Sequence, residues 1–167
     1  KFANVYDEIF TLFKFENDFF NKFGLKTTFI GHPVYYISSI KNKIDKKYIA
    51  FLPGSRENEI NQLFNYFELA YKILLKNKTK KFHIFIPTLP HLEKLINKKT
   101  SHWKIKTIVI TDQIKIEDYF REVYASVTCS GTASLEIAKR MIPQLVIYKF
   151  NFLTTIIAKY FVKVKYG

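Results

Sequence analysis

Cysteine, glycine, proline and arginine are all scarce in this chain of 167 residues. A single cysteine, Cys129, excludes a small secreted module stapled by disulfides. No apolar run approaches the roughly 18–20 residues that a membrane-spanning helix needs. Only five glycines and five prolines are present, and they do not cluster into a low-complexity linker.

The composition that remains is that of a globular domain. Hydrophobic residues make up 48% of the chain and aromatic residues 17%, which excludes a disordered tail. The formal net charge is +13, but arginine occurs only at positions 56, 121 and 140. Abundant lysine, asparagine, isoleucine, phenylalanine and tyrosine are typical of an AT-rich genome. Selection for an anionic partner is the alternative. A nucleic-acid-binding domain is disfavoured because the basic residues are spread out and the aromatic residues fall in apolar stripes.

Short β-rich runs alternate with helical stretches along most of the chain. From position 48 onward the alternation is regular, and the central strands lack polar alternation, which is typical of a parallel sheet covered on both faces. It predicts an α/β fold, a Rossmann-like doubly wound parallel sheet. The predicted strands cover 48–52, 82–86, 105–110, 125–129 and 144–148, and the predicted helices cover 58–76, 90–98, 116–123, 132–140 and 152–164.

The residues before position 48 predict a separate piece of structure. A strand is predicted over 9–13, a short helix over 16–23 and a second strand over 27–30. We therefore expect the end of a first domain at 1–34, a linker at 35–47 and a Rossmann-like domain at 48–167. Because the chain begins with lysine and its last apolar pattern does not close, we expect a piece of a longer protein.

Two loops that directly follow predicted strands carry residues suited to phosphate. In the first, Gly54 permits a tight turn, Ser55 is a candidate N-cap and Arg56 adds a cation at the start of a helix. In the second, Ser130, Gly131 and Thr132 offer amides and hydroxyls, and Glu136 lies one helical turn later, where a carboxylate can bind ribose hydroxyls. Each turn alone also fits an ordinary capped strand–helix connection. Together they indicate a nucleotide diphosphate ligand.

Other kinds of site are less well supported. Neither GxGxxG nor the P-loop pattern occurs, and Cys129-Ser130-Gly131 is not a nucleophile elbow. The four histidines have no metal-ligand spacing, so no metal or cofactor is expected. His32, within Gly31-His32-Pro33, is a weaker site candidate because its loop also follows a strand. The predicted helix 152–164 carries an apolar stripe flanked by lysines, which fits either core packing or partial embedding in an anionic membrane surface.

Three motifs stand out along the chain: Phe29-Ile30-Gly31-His32-Pro33, Leu52-Pro53-Gly54-Ser55-Arg56 with Glu59-Ile60, and Ser130-Gly131-Thr132-Ala133-Ser134-Leu135-Glu136. Together they resemble the lipid-A-disaccharide synthase family, and their order and spacing fit that family over nearly the whole chain. Outside these motifs the sequence departs from the family at two positions. Lys14, in Phe13-Lys14-Phe15-Glu16, stands where the family has proline, and Cys129 stands where the family usually has a smaller residue.

The resemblance implies a metal-independent inverting GT-B glycosyltransferase that works at the cytoplasmic face of the inner membrane of a Gram-negative bacterium. It would transfer 2,3-diacylglucosamine from UDP-2,3-diacylglucosamine to the lipid acceptor 2,3-diacylglucosamine 1-phosphate and release UDP. The general base is expected outside this chain, and His32 is a possible catalytic residue. The residues implied in UDP binding are Gly54, Ser55, Arg56, Glu59, Ser130, Gly131, Thr132 and Glu136.

Two alternatives stay open at this point. One is another GT-B enzyme that uses a UDP-sugar, such as a peptidoglycan glycosyltransferase or a UDP-N-acetylglucosamine epimerase. The LPGSR string followed by Glu59-Ile60 disfavours both. The other is a non-catalytic remnant of a split gene. In every case this stretch alone is expected to lack transferase activity, because most of the acceptor half and the general base are expected outside it.

Overall fold

A computed structural model describes residues 4–37, 45–77 and 81–148. The chain divides into two compact units, residues 1–38 and residues 39–167. The sheet that carries the site lies in the second unit.

Five parallel strands form the sheet of the second unit. In chain order they are β3 (Tyr48–Leu52), β4 (His83–Pro87), β5 (Thr107–Ile110), β6 (Val123–Cys129) and β7 (Gln144–Ile147). Their order across the sheet is β5-β4-β3-β6-β7, so the chain builds outward on one side of β3 and then crosses to the other side. This order contains a reversal between β3 and β6, as expected for a doubly wound fold.

The central strand β3 is buried on both faces, and this explains its uninterrupted apolar sequence. Ile49 and Phe51 pack into a cluster with α2 (Glu57–Lys76) and α3 (Glu93–Thr100). Ala50 and Leu52 pack into a second cluster with α4 (Gln113–Phe120) and α5 (Thr132–Lys139). Because successive side chains of a strand point to opposite faces, one strand supplies both cores. The predicted α/β fold class is therefore confirmed.

Several element boundaries differ from the predicted ones for local reasons. Helix α4 begins at Gln113 rather than at 116, because the Asp112 carboxylate accepts hydrogen bonds from the amides of Ile114 and Lys115. It ends at Phe120, and β6 then begins at Val123, which the prediction placed in the helix. The predicted helix over 90–98 is a 3₁₀ turn, Pro90–Leu92, followed by α3.

The first unit contains two parallel strands and one helix. Strand β1 (Glu8–Thr11) pairs in register with β2 (Lys26–Phe29), and α1 (Lys14–Asn21) lies between them in sequence. The predicted strand over 9–13 is shorter in the structure, and β1 leaves Phe10 64% exposed. The Glu16 carboxylate accepts hydrogen bonds from the amides of Leu12 and Phe13, both at 2.9 Å, and so caps the start of α1.

The predicted helix over 152–164 lies outside the described residues. Within the described part of the chain, the helices are too short or too polar to cross a bilayer.

Candidate functional site

A pocket of about 460 Å³ opens at the carboxyl edge of the second unit's sheet. The loops that follow β3 and β6 form much of its wall. These two strands are neighbours in register, with Leu52 opposite Thr128, so the turns after them meet at one edge. The pocket is lined by all eight of the predicted UDP-binding positions, Gly54, Ser55, Arg56, Glu59, Ser130, Gly131, Thr132 and Glu136.

Helix α2 begins at this pocket without a side-chain cap. The N-cap is Arg56, in an extended backbone conformation, and its carbonyl accepts the first helical hydrogen bond from the Ile60 amide at 3.0 Å. The prediction that Ser55 is the N-cap is wrong, because the helix starts one residue later than that prediction requires. The N-cap side chain therefore makes no hydrogen bond to the first amides of α2, and among the described residues no other side chain is seen to accept from them.

Gly54 holds a backbone conformation that other residues rarely adopt, with φ at +117°. The Glu59 carboxylate lies against it. A Cβ added at Gly54 would sit 2.3 Å from Oε2 and 2.8 Å from Cδ of Glu59. The turn therefore requires glycine for its backbone angle, and any side chain placed there would also displace the Glu59 carboxylate.

Helix α5 begins at the opposite wall of the pocket. Gly131, with φ at +135°, precedes it. The Ser130 amide donates to the Ile147 carbonyl at 2.9 Å, and the Ser134 amide donates to the Gly131 carbonyl at 3.0 Å. The expectation that the Ser130 amide is open to a ligand is therefore wrong. The amides of Thr132 and Ala133, in the first turn of the helix, have no intrahelical acceptor, as at any helix start.

Glu136 projects into the pocket one turn after Thr132 and is half-buried. Together with Glu59 it gives the lining two carboxylates, against the single cation of Arg56. Within the described residues, Arg56 has no ion-pair partner. The guanidinium is thus available to an anionic ligand, and the carboxylates are suited to hydroxyl groups.

Cys129 closes the floor of the pocket at the end of β6 and is 4% exposed. Burial, and to a lesser extent the charge of Glu59, raise the pKa of its thiol to about 11. A thiol with this pKa stays protonated at neutral pH and is a poor nucleophile. This agrees with a packing role for Cys129.

His32 belongs to the first unit. It is 6% exposed, its Nδ1 accepts a hydrogen bond from the Val34 amide at 3.1 Å, and its ring stacks on Phe13 with centroids 5.5 Å apart. These contacts fix the ring at the start of the 3₁₀ turn Pro33–Tyr36. The residues that line the pocket all come from the second unit, and His32 is not among them.

The side of the pocket formed after β4 and β5 carries residues that the sequence motifs did not predict. Thr88 follows β4, and Gln113 opens α4. No motif marks either residue. The signal that could have found them is the general rule that the loops after all the strands of a parallel sheet face the same edge. The apolar residues that complete this side are Pro87, Leu89, Ile116 and Phe120.

Comparison with known proteins identifies the family. The family model described as lipid-A-disaccharide synthetase matches residues 1–167. The chain belongs to the lipid-A-disaccharide synthetase family. Curated relatives of the same name include proteins from Campylobacter jejuni, 37% identical over 96% of the chain, and Acinetobacter baylyi, 31% identical over 96%. A third relative, from Rhodospirillum centenum, is 25% identical over 99% of the chain.

This member of the lipid-A-disaccharide synthetase family spans less than half the length of those relatives, between 43% and 45% of each. The matched stretch includes both turns that line the pocket.

Proposed function

We propose that the second unit of this chain binds the UDP-sugar donor of an inverting glycosyltransferase of lipid A biosynthesis. The donor is UDP-2,3-diacylglucosamine, the acceptor is 2,3-diacylglucosamine 1-phosphate, and UDP is the leaving group. The observation that supports this is the meeting of two uncapped helix starts and Arg56 in one pocket, in a chain of the lipid-A-disaccharide synthetase family.

The diphosphate would bind between the two helix starts. The first turn of a helix presents free amides and a partial positive charge, which favour an anion. The amides of Thr132 and Ala133 approach from α5, and Arg56 approaches from α2. Glycosyl transfer develops negative charge on the departing diphosphate, so these groups would stabilise the transition state more than the bound donor.

Glu136 would bind the ribose. Its carboxylate lies on the pocket side of α5, one turn from the proposed phosphate position. Carboxylates accept hydrogen bonds from ribose hydroxyls in other Rossmann-like domains. Glu59 is not proposed to contact the diphosphate, because its carboxylate lies against Gly54 and would repel phosphate.

The remaining parts of the reaction lie outside the pocket. An inverting transfer needs a base for the acceptor hydroxyl. We propose that this base and most of the acceptor site come from elsewhere in the full-length protein, with His32 a candidate contributor. Because both substrates carry acyl chains, the protein would work at the surface of the inner membrane.

The role of Arg56 is tested by measuring UDP affinity in the full-length protein. Arg56→Ala removes one charge-assisted contact and is expected to weaken UDP binding by about 1–3 kcal/mol. Arg121→Ala is the matched control, because Arg121 is also exposed but ends α4, at the opposite edge of the sheet, where it pairs with Asp118 at 3.9 Å. Calorimetric titration with equal UDP affinity for wild type and Arg56→Ala would refute the assignment.

A further inference from the structure

Thr88 carries a buried hydroxyl that the fold itself does not use. The residue is 7% exposed, and its Oγ1 has no hydrogen-bond partner among the described residues. Other buried polar atoms in the described part of the chain are also unpartnered, in Ser126, Arg140 and Gln144, but of these residues Thr88 is the one that lines the pocket. A buried hydroxyl without a partner is unfavourable, so it calls for an explanation.

The backbone of Thr88 is fixed, and only its side chain is free to adjust. Its amide donates to the Ile110 carbonyl at 2.9 Å, which extends the pairing of β4 with β5 past Pro87. A threonine side chain has three staggered χ1 positions, and rotation between them exchanges the places of hydroxyl and methyl. A polar ligand atom at this wall could therefore be met by the Thr88 hydroxyl without any movement of the main chain.

The surroundings of Thr88 differ from those of the phosphate turns. Pro87, Leu89 and Ile116 form apolar surface, and the Gln113 side-chain amide adds a group that both donates and accepts. A flat apolar ring with polar edge atoms suits this wall better than a phosphate does. β4 and β6 lie on opposite sides of β3, so their ends are separated by about 10 Å, two strand spacings.

We propose that Thr88 positions the nucleobase of the donor, with its hydroxyl bonded to a polar atom on the edge of the ring. The inference rests on the proposed function, since it takes the diphosphate to lie at the starts of α2 and α5. The base then lies between Thr88 and Gln113, past the ends of β4 and β5, and the rest of the nucleotide crosses the end of β3 toward the diphosphate. Thr88 touches no reacting atom and is a positioning residue.

The test compares UDP with inorganic pyrophosphate as ligands of the full-length protein. Thr88→Val replaces the hydroxyl by a methyl group of the same shape. We expect it to weaken UDP binding about three- to tenfold, the loss of one neutral hydrogen bond, and to leave pyrophosphate binding unchanged. Thr88→Ser keeps the hydroxyl and should retain the UDP affinity within about twofold.

Measurements of the melting temperature distinguish a ligand-positioning role of Thr88 from a structural role. Because Oγ1 has no protein partner, Thr88→Val should keep or raise the melting temperature. Thr128→Val is the matched control: Thr128 is fully buried, its Oγ1 donates to the Cys129 carbonyl at 3.1 Å, and it does not line the pocket. That control should lose stability and keep UDP affinity. If Thr88→Val unfolds, the UDP affinities of Thr88→Ala and Thr88→Ser are compared instead. Thr88→Ala should bind UDP more weakly than wild type, and Thr88→Ser should not.

The results of these measurements separate an error in the role of Thr88 from an error in the proposed function. Wild-type protein that binds neither UDP nor pyrophosphate would overturn the proposed function. UDP binding that is unchanged in Thr88→Val would overturn only the role of Thr88. Equal weakening of UDP and pyrophosphate in Thr88→Val would place the diphosphate, not the base, at Thr88 and would also overturn the inference.

Discussion

Replacement of Gly54 by alanine should destabilise the protein through two separable effects. The first is backbone strain, because φ at +117° is unfavourable for any residue with a Cβ and costs about 1–3 kcal/mol. The second is a collision, since the new Cβ would lie 2.3 Å from Oε2 of Glu59. The Glu59 carboxylate ends a flexible side chain, so it is expected to move aside and leave its position at the turn.

Gly131→Ala provides the matched control. Gly131 also has a positive φ, +135°, but an added Cβ there meets no atom within 4 Å. It should therefore show backbone strain alone. Gly54→Ala should be the more destabilising of the two, by the amount that Glu59 contributes.

A double-mutant cycle with Glu59→Ala measures the collision directly. Removing the carboxylate should recover the part of the loss due to contact and leave the part due to φ, so the two changes are non-additive. Urea unfolding at neutral pH gives the four free energies of unfolding. The reasoning is refuted if Gly54→Ala is no worse than Gly131→Ala and Glu59→Ala has an additive effect.

Two further predictions concern single side chains. Cys129, the sole cysteine, has a thiol pKa raised to about 11, so alkylation of the native protein should be slow at pH 8 and accelerate only toward pH 11. The free energy of unfolding should fall as pH rises from about 9 to about 11, because the thiol of the unfolded chain ionises before that of the native protein. Glu59→Gln removes one cause of the shift and should move the alkylation profile to lower pH, and an unchanged profile would contradict the electrostatic contact. Glu68→Leu removes the acceptor of the hydrogen bond that Trp103 Nε1 donates at 2.7 Å and leaves the Trp103 ring in the core, so it should lower the free energy of unfolding by about 1–3 kcal/mol, measured by circular dichroism in urea. A loss as large in Glu68→Gln, which keeps an acceptor oxygen, would show that charge rather than the hydrogen bond matters there.

The alternation of apolar strands and amphipathic helices was enough to predict the second unit. Its five strands were all located because each is short and apolar, and among the described residues each of the first four is followed by a helix. Helix α2 shows why: Ile60, Leu63, Phe64, Phe67 and Tyr71 are all buried on one face, as the period of 3.6 requires. A period of 3.6 residues shows which face of a helix is buried, and the buried faces determine how the helices pack on the sheet.

Boundaries and unmarked site residues were harder to predict because they depend on contacts distant in sequence. The N-cap of α2 is Arg56 rather than the predicted Ser55, a difference of one residue that periodicity does not resolve. The Ser130 amide is taken by the Ile147 carbonyl of β7, a pairing that only the sheet order reveals. Thr88 reaches the pocket for the same reason, since β4 is placed beside β3 by tertiary pairing rather than by any local motif.

The charges that line the pocket bear on how a diphosphate would be held. Among the described residues that line it, the charged side chains are Arg56, Glu59 and Glu136. The formal charge of these three side chains is negative, although the net charge of the chain is +13. Within the described lining, the helix amides and Arg56 are therefore the groups that would neutralise a diphosphate. Short-range hydrogen bonds of this kind are screened less by salt than a diffuse field of lysines would be.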